Sequence, residues 1–182
     1  EDLQVFPHVA TKSVTIKGRI GNLTGQAGQS DLAMIVTPFR LDKNVKMTGS
    51  TNINVNWSTN GGTFETELTL KSVAGLWNEF NPTIYRLWVF SKPVVVGDAS
   101  KQIDPAGVHF GLREITTSDK DILINGCPVN LRLTHDGGEF PLTGYPAMDV
   151  ASWKKIIQTC KDYGLNGIRF HSWCPPEAAF EA

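Results

Sequence analysis

The spacing of apolar residues changes character near residue 115, and no other feature of this chain constrains its fold as much. Before that point the spacing is two. Val14, Ile16 and Ile20 alternate with polar residues, and so do Ile53, Val55 and Trp57. Phe64, Leu68 and Leu70 keep the same register, residues 32–36 form a short apolar run, and residues 84–90 are β-branched and aromatic. Turn-forming clusters separate these runs at 21–25, 48–52 and 60–62, and Asn60-Gly61 between strand signals predicts a hairpin. Roughly seven short strands within about 110 residues have the size and rhythm of an immunoglobulin-like β-sandwich.

After residue 115 the order is strand, helix, strand, helix start. Residues 121–126 read as a strand entering a short hairpin at Asn125-Gly126, two residues suited to positive φ. Residues 129–133 predict another strand. Asp149 is placed as an N-cap, and Val150, Trp153, Ile156, Ile157 and Cys160 mark one face of a helix that Gly164 ends. Residues 167–170 have the apolar character of a strand covered on both faces. Pro175-Pro176-Glu177 then opens a helix, with Glu177 suited to its N-terminal dipole. This βαβ order demands a parallel pair. An eight-stranded barrel of such units takes roughly 250 residues, so the expectation is mainly β: an immunoglobulin-like sandwich at 1–114 followed by a truncated (β/α)8 barrel segment at 115–182. In such a segment Ile168, Phe170 and the Trp153–Ile156–Cys160 face would lack most of their partners. It is expected to pack on the sandwich, pair with another copy, or be loosely ordered.

Composition excludes several classes of function. Of 182 residues, 17 are Lys or Arg and 18 Asp or Glu, for a formal net charge of -1. No basic stripe invites nucleic acid or an anionic membrane. No apolar run approaches the roughly 20 residues that span a bilayer, and the first residues have neither the basic nor the apolar region of a signal peptide. The three cysteines, Cys127, Cys160 and Cys174, form no disulfide framework by count or spacing and read as small buried hydrophobes.

Three segments resemble glycoside hydrolase family 2. The first is Leu76-Trp77 followed by Asn81-Pro82 and Tyr85, which in that family precede the penultimate sandwich strand. The second is Phe110-Gly111-Leu112-Arg113 followed by Asn125-Gly126-Cys127-Pro128 and Arg132, the family's entry into its barrel. The third runs from Trp153 to Gly164-Leu165-Asn166-Gly167-Ile168-Arg169, the first barrel helix leading to strand two. They occur in the family's order over roughly residues 70–182. Trp77 and Tyr85 read as packing residues and Arg113 as a structural arginine at the domain junction. Two departures mark a divergent branch. Arg132 is followed by Leu133-Thr134-His135-Asp136, where the family has glycine and then asparagine and histidine. Arg169 is followed by Phe170-His171-Ser172-Trp173, which exchanges the usual serine and histidine.

The resemblance implies a retaining, β-galactosidase- or β-glucuronidase-like parent whose active site lies at the C-terminal ends of the barrel strands. Here those ends would carry Arg132, His135, Asp136 and Glu139 on one strand and Arg169, His171, Ser172 and Trp173 on the next. Arg169, His171, Trp173 and His135 are the candidate substrate-binding residues. The family's arginine matching Arg169 lines the sugar site near the nucleophile, and a guanidinium fork suits both carboxylate and hydroxyl; a salt bridge inside the barrel is the plainer reading. His171 reads equally as a sugar-hydroxyl partner and as a satisfied core histidine, and Trp173 as a stacking platform or as packing.

No catalytic residue is assigned. Retaining hydrolysis needs two carboxyl groups about 5–5.5 Å apart, and the resemblance places them on barrel strands four and seven, beyond this chain. His135, Asp136, Glu139, His171 and Cys174 are zinc-ligand types, but their spacing matches no metal motif. No cofactor is expected, and neither a Gly-x-Ser-x-Gly elbow nor a phosphate loop is present. The expected partners are a carbohydrate and other domains of the parent, with self-association through the incomplete barrel. An exported parent, periplasmic or secreted, is expected. The competing reading is a carbohydrate-binding or structural interaction module.

Overall fold

The computed structural model describes residues 2–39, 47–91 and 105–182. Its contacts divide the chain into two compact units, Glu1–Pro128 and Val129–Ala182.

The first unit holds β1 (Gln4–His8), β2 (Ser13–Ile20), β3 (Gly28–Pro38), β4 (Gly49–Trp57), β5 (Gly62–Thr69), β6 (Tyr85–Ser91) and β7 (Ala106–Phe110). These strands form two antiparallel sheets, β1-β2-β5 and β4-β3-β6-β7. Period-two alternation sends one face of each inward. Val14 and Ile16 of β2 and Leu68 of β5 meet Met34 and Val36 of β3 and Leu87 and Val89 of β6 in one buried cluster. The mainly β, sandwich-like character expected from the sequence is present.

Two local expectations are corrected. The Asn60-Gly61 turn exists: Ser58 and Gly61 exchange backbone hydrogen bonds of 3.0 and 3.1 Å, and Gly61 has φ +94°. Yet β4 and β5 do not pair as a hairpin, because β4 joins β3 and β5 joins β2. The turn is a corner between sheets. Two glycine–aromatic cross-strand pairs accompany this choice. Trp57 lies over its partner Gly28, where a Cβ would stand 2.8 Å from the indole, and Phe64 lies over its partner Gly18. The cluster at 48–52 is not a turn either. Gly49–Thr51 ladder with Val36–Met34, so pairing overrides local propensity.

Tyr85 opens β6 and ties the corner before it. Its hydroxyl accepts from the Gly75 N–H at 2.7 Å and donates to the Gly75 carbonyl at 3.1 Å. This is the tyrosine-corner arrangement of immunoglobulin-type sandwiches.

A small antiparallel meander follows: β8 (Ile115–Thr117), β9 (Ile122–Ile124) and β10 (Cys127–Pro128). Its β9–β10 turn is Asn125-Gly126, with φ of 53° and 76°, as their sequence predicts. Asn125 ties the meander to the residues before it: Oδ1 accepts from the Glu114 N–H at 2.9 Å and Nδ2 donates to the Trp77 carbonyl at 2.8 Å. Trp77 in turn packs on Gly111 and carries the Arg113 guanidinium 4.6 Å above its ring. The compact units accordingly divide after Pro128, whereas the sequence reading places its domain change after Glu114.

The second unit is β11 (Leu133–Asp136), α1 (Val150–Asp162), β12 (Gly167–Phe170) and α2 (Glu177–Glu181). β11 and β12 are parallel, with His135 opposite Arg169. Asp149 caps α1 by accepting from the Ser152 N–H at 2.8 Å. At the other end the Leu165 N–H reaches the Cys160 carbonyl and the Gly164 N–H the Lys161 carbonyl, with Gly164 at φ +73°. That is a Schellman closure, which is why the helix stops there. Trp153 is buried, while Ile156 remains 41% exposed.

The strand expected at 129–133 begins later, at Leu133. Asn166 occupies the intervening backbone: its Oδ1 accepts from the Arg132 N–H at 2.8 Å and its Nδ2 donates to the Asn130 carbonyl at 2.9 Å. The cysteines are less buried than their sequence suggests. Cys127 and Cys174 are exposed and Cys160 half-buried, because the first sits beside the β9–β10 turn and the last in the link after β12.

Candidate functional site

The geometry of the second unit decides which side chains stand together. Phe170 meets Trp153 of α1 edge-on, ring centroids 6.1 Å apart. Side chains alternate along a strand, so Phe170, Ile168 and their partners Asp136 and Thr134 belong to the helix-covered face. Leu133, His135, Gly167 and Arg169 belong to the other. On that face Leu133 lies across Gly167, where a Cβ would stand 2.6 Å from Leu133 Cδ2. His135 and Arg169 are both exposed. His171, one step past β12, continues the same parity, and its ring meets that of His135 edge-on at 5.3 Å. Three of the four sequence-selected residues therefore share one open face at the C-terminal end of the parallel pair.

The loop after each strand is held by Asp136. Its carbonyl accepts from the His171 N–H at 2.9 Å and from the Trp173 indole N–H at 3.3 Å. Its carboxylate accepts from the Gly138 N–H at 2.9 Å. Ser172 adopts φ +60°, and its hydroxyl lies 2.9 Å from His171 Nδ1. A left-handed serine beside a histidine is uncommon and costs backbone strain. Its hydrogen bond to Nδ1 orients the imidazole.

Trp173, the fourth selected residue, is engaged in packing. Its ring stands edge-on to Phe140 and Phe170, with centroids 5.4 and 5.1 Å away. A Cβ at Gly138, whose φ is +76°, would lie 3.2 Å from it. These contacts pin the loop after β11 against the end of β12.

Arg132 stands elsewhere than the sequence reading placed it. It precedes β11 and donates from Nε to the Gly164 carbonyl at 2.7 Å, at the C-terminus of α1, where a cation complements the helix dipole. The structural roles of Asn166 and Ser172 have little trace in the sequence. The Gly164-Leu165-Asn166 motif is the one local signal for the first, and no sequence signal marks a serine for positive φ.

Glu177 begins α2 and Glu139 is exposed in the loop after β11. No group of three or more His, Cys, Asp or Glu among the described residues is arranged to hold a metal ion. The Ser152 backbone hydrogen bond holds the Asp149 carboxyl below the usual carboxylate range.

No model of a known protein family matches the sequence. A β-galactosidase of Staphylococcus xylosus is 28% identical over 94 residues, which is 52% of this chain and 8% of that enzyme. Among solved structures, a glycosyl hydrolase family 2 member from Bacteroides cellulosilyticus matches 98% of this chain and 22% of its own at TM-score 0.80 and 21% identity. A putative β-galactosidase from Bacteroides fragilis matches 98% of this chain and 26% of its own at TM-score 0.79 and 14% identity. A β-glucuronidase from Bacteroides uniformis does so over 98% and 21%, at TM-score 0.76 and 17% identity. The structural neighbours are thus family 2 glycoside hydrolases, and this chain shares the fold of a piece about a fifth to a quarter of their length.

Proposed function

We propose that this chain is a segment of a retaining family 2 glycoside hydrolase. The observation that carries the reading is the likeness of 98% of the chain to part of a family 2 enzyme at TM-score 0.80. The partial match to a β-galactosidase sequence supports it. In this reading residues 1–114 are the scaffold sandwich, and the stretch from 115 leads into the first part of a (β/α)8 barrel with β11 and β12 as its first two strands. His135, Arg169 and His171 then line part of the sugar pocket on the inward face, opposite α1. The acid/base and nucleophile carboxylates come from later strands, so the 182-residue chain has no hydrolytic activity of its own.

The test has two arms. Purified chain is incubated with p-nitrophenyl β-glycosides, and no release of nitrophenol above buffer is expected; measurable turnover would overturn the assignment of catalysis to later strands. The parent protein is then assayed for hydrolysis with retention and for a covalent glycosyl-enzyme by mass spectrometry. An inverting parent, or one without glycosidase activity, would overturn the reading itself.

A sugar-binding role for the sandwich alone is less well supported. Trp88 and Phe90 point away from the core, on the parity opposite Leu87 and Val89. The Arg86 guanidinium, however, sits 3.7 Å above the Trp88 ring, where a pyranose would have to stack.

A further inference from the structure

We propose that Asn60 is a site of spontaneous modification: the Gly61 backbone nitrogen closes on its side-chain carbonyl carbon, ammonia leaves, and water opens the resulting succinimide to aspartate or isoaspartate. This chemistry uses no reactant other than water and is independent of the glycosidase reading. It requires an asparagine or aspartate followed by a residue without a side chain, a carboxamide free to turn, and a backbone nitrogen able to approach Cγ. Asn60-Gly61, Asn125-Gly126, Asp136-Gly137 and Asn166-Gly167 meet the first requirement.

The fold separates them on the second. Asn125 is held at both ends of its amide, with Oδ1 accepting from the Glu114 N–H at 2.9 Å and Nδ2 donating to the Trp77 carbonyl at 2.8 Å. Asn166 is held in the same way by the Arg132 N–H at 2.8 Å and the Asn130 carbonyl at 2.9 Å. The Asp136 carboxylate accepts from the Gly138 N–H at 2.9 Å. Turning any of these side chains breaks bonds that the fold relies on. Asn60 is exposed, and among the described residues its carboxamide has no hydrogen-bond partner. What restrains it is the nucleophile, because the Gly61 N–H donates to the Ser58 carbonyl at 3.1 Å. That bond lies in an exposed turn, which opens more readily than a strand ladder. The glycine is also fixed in place. Its φ is +94°, and a Cβ would run into the Ile20 carbonyl. The corner between the sheets therefore keeps a reactive dipeptide that it cannot exchange for a bulkier one.

In the first step the Gly61 nitrogen gives up its proton and bonds to Asn60 Cγ, the Cγ–Nδ2 bond breaks, and Nδ2 leaves as ammonia with a proton regained from solvent. Water then cleaves either imide bond. Cleavage on the Cα side routes the main chain through Cγ and adds a carbon to the backbone of a turn closed by the Ser58–Gly61 bonds of 3.0 and 3.1 Å. That insertion loosens the point where β4 and β5 part into different sheets.

The experiment ages the purified 182-residue chain at mildly alkaline pH, in buffer and in urea, over days. Peptide masses report amide-to-acid conversion at each asparagine, and an isoaspartyl methyltransferase labels the rearranged product. In buffer Asn60 is expected to convert at least about tenfold faster than Asn125 and Asn166. In urea, where no fold holds the side chains, the rates at these asparagines should converge to within about threefold. Asn60→Gln closes the larger ring far more slowly, so it should abolish the dominant product and leave the rates at Asn125 and Asn166 unchanged. In converted protein, hydrogen exchange should quicken at Gly61 while β2, β3 and β6 keep their protection. Comparable rates in buffer, or Asn125 or Asn166 reacting first, would overturn the site. A ranking that survives in urea would overturn its structural cause, and unchanged exchange at Gly61 would overturn the loosening of the corner.

Discussion

The two units close their cores to different degrees. In the first, Val14, Ile16, Met34, Val36, Leu87 and Leu112 are wholly excluded from solvent. Two sheets face each other, and each supplies the cover the other needs. In the second, Trp153 is the large buried apolar side chain, while Leu133 stays 44% and Ile156 41% exposed. One helix covers one face of a two-stranded sheet, and the face with His135 and Arg169 is left open. Two facing sheets cover each other's apolar faces, whereas a two-stranded sheet under one helix has cover on one face only. The candidate site lies on the less covered side of that contrast.

The largest expected effect tests the sparse core. Trp153→Ala removes the one buried side chain that joins α1 to Phe170 and should cost about 3–5 kcal/mol locally. Hydrogen exchange should show 150–170 losing protection while β2, β3 and β6 keep theirs. Joint loss across both units would break the comparison. Leu87→Ala in the sandwich should cost about 2–5 kcal/mol, read as a lower denaturation midpoint of the first unit, whereas Ile156→Ala should stay within about 0.5 kcal/mol.

Tyr85→Phe comes next. It removes a hydroxyl that satisfies both backbone groups of Gly75 and should cost about 1–3 kcal/mol. A near-neutral result would mean that the corner is held by packing alone.

The smallest effect is at the Asp149 cap. Its pKa in the fold is lowered, so its contribution is present above the unfolded carboxylate value of about 3.9 and fades as pH falls through the lower folded value. Exchange protection of the first turn of α1 should therefore weaken on acidification below about pH 4, and Asp149→Asn should cap without that acid dependence. The same slope in both proteins would place the titrating group elsewhere.

Much of the second unit was legible because its signals are local. The N-cap Asp149, the apolar spacing from Val150 to Cys160 and Gly164 specify a helix within one short window, and α1 runs from Val150 to Asp162. Asn125-Gly126 specified its turn for the same reason. The errors concern partners distant in sequence. The 48–52 cluster reads as a turn, yet pairing with β3 draws it into a strand. β11 starts later than local propensity suggests because Asn166, 34 residues beyond Arg132 in the chain, supplies the bonds a strand would otherwise make.

The site divides in the same way. Sequence by itself determined the residue types, their order and the βαβ frame that brings His135 beside Arg169. Tertiary structure decided that Arg132 closes a helix end, that Trp173 is held between Phe140 and Phe170, and that β4 and β5 part into opposite sheets. The physical reason is that backbone periodicity and capping are settled within a few residues. Which face a side chain shares, and with whom, depends on pairing chosen across the whole fold.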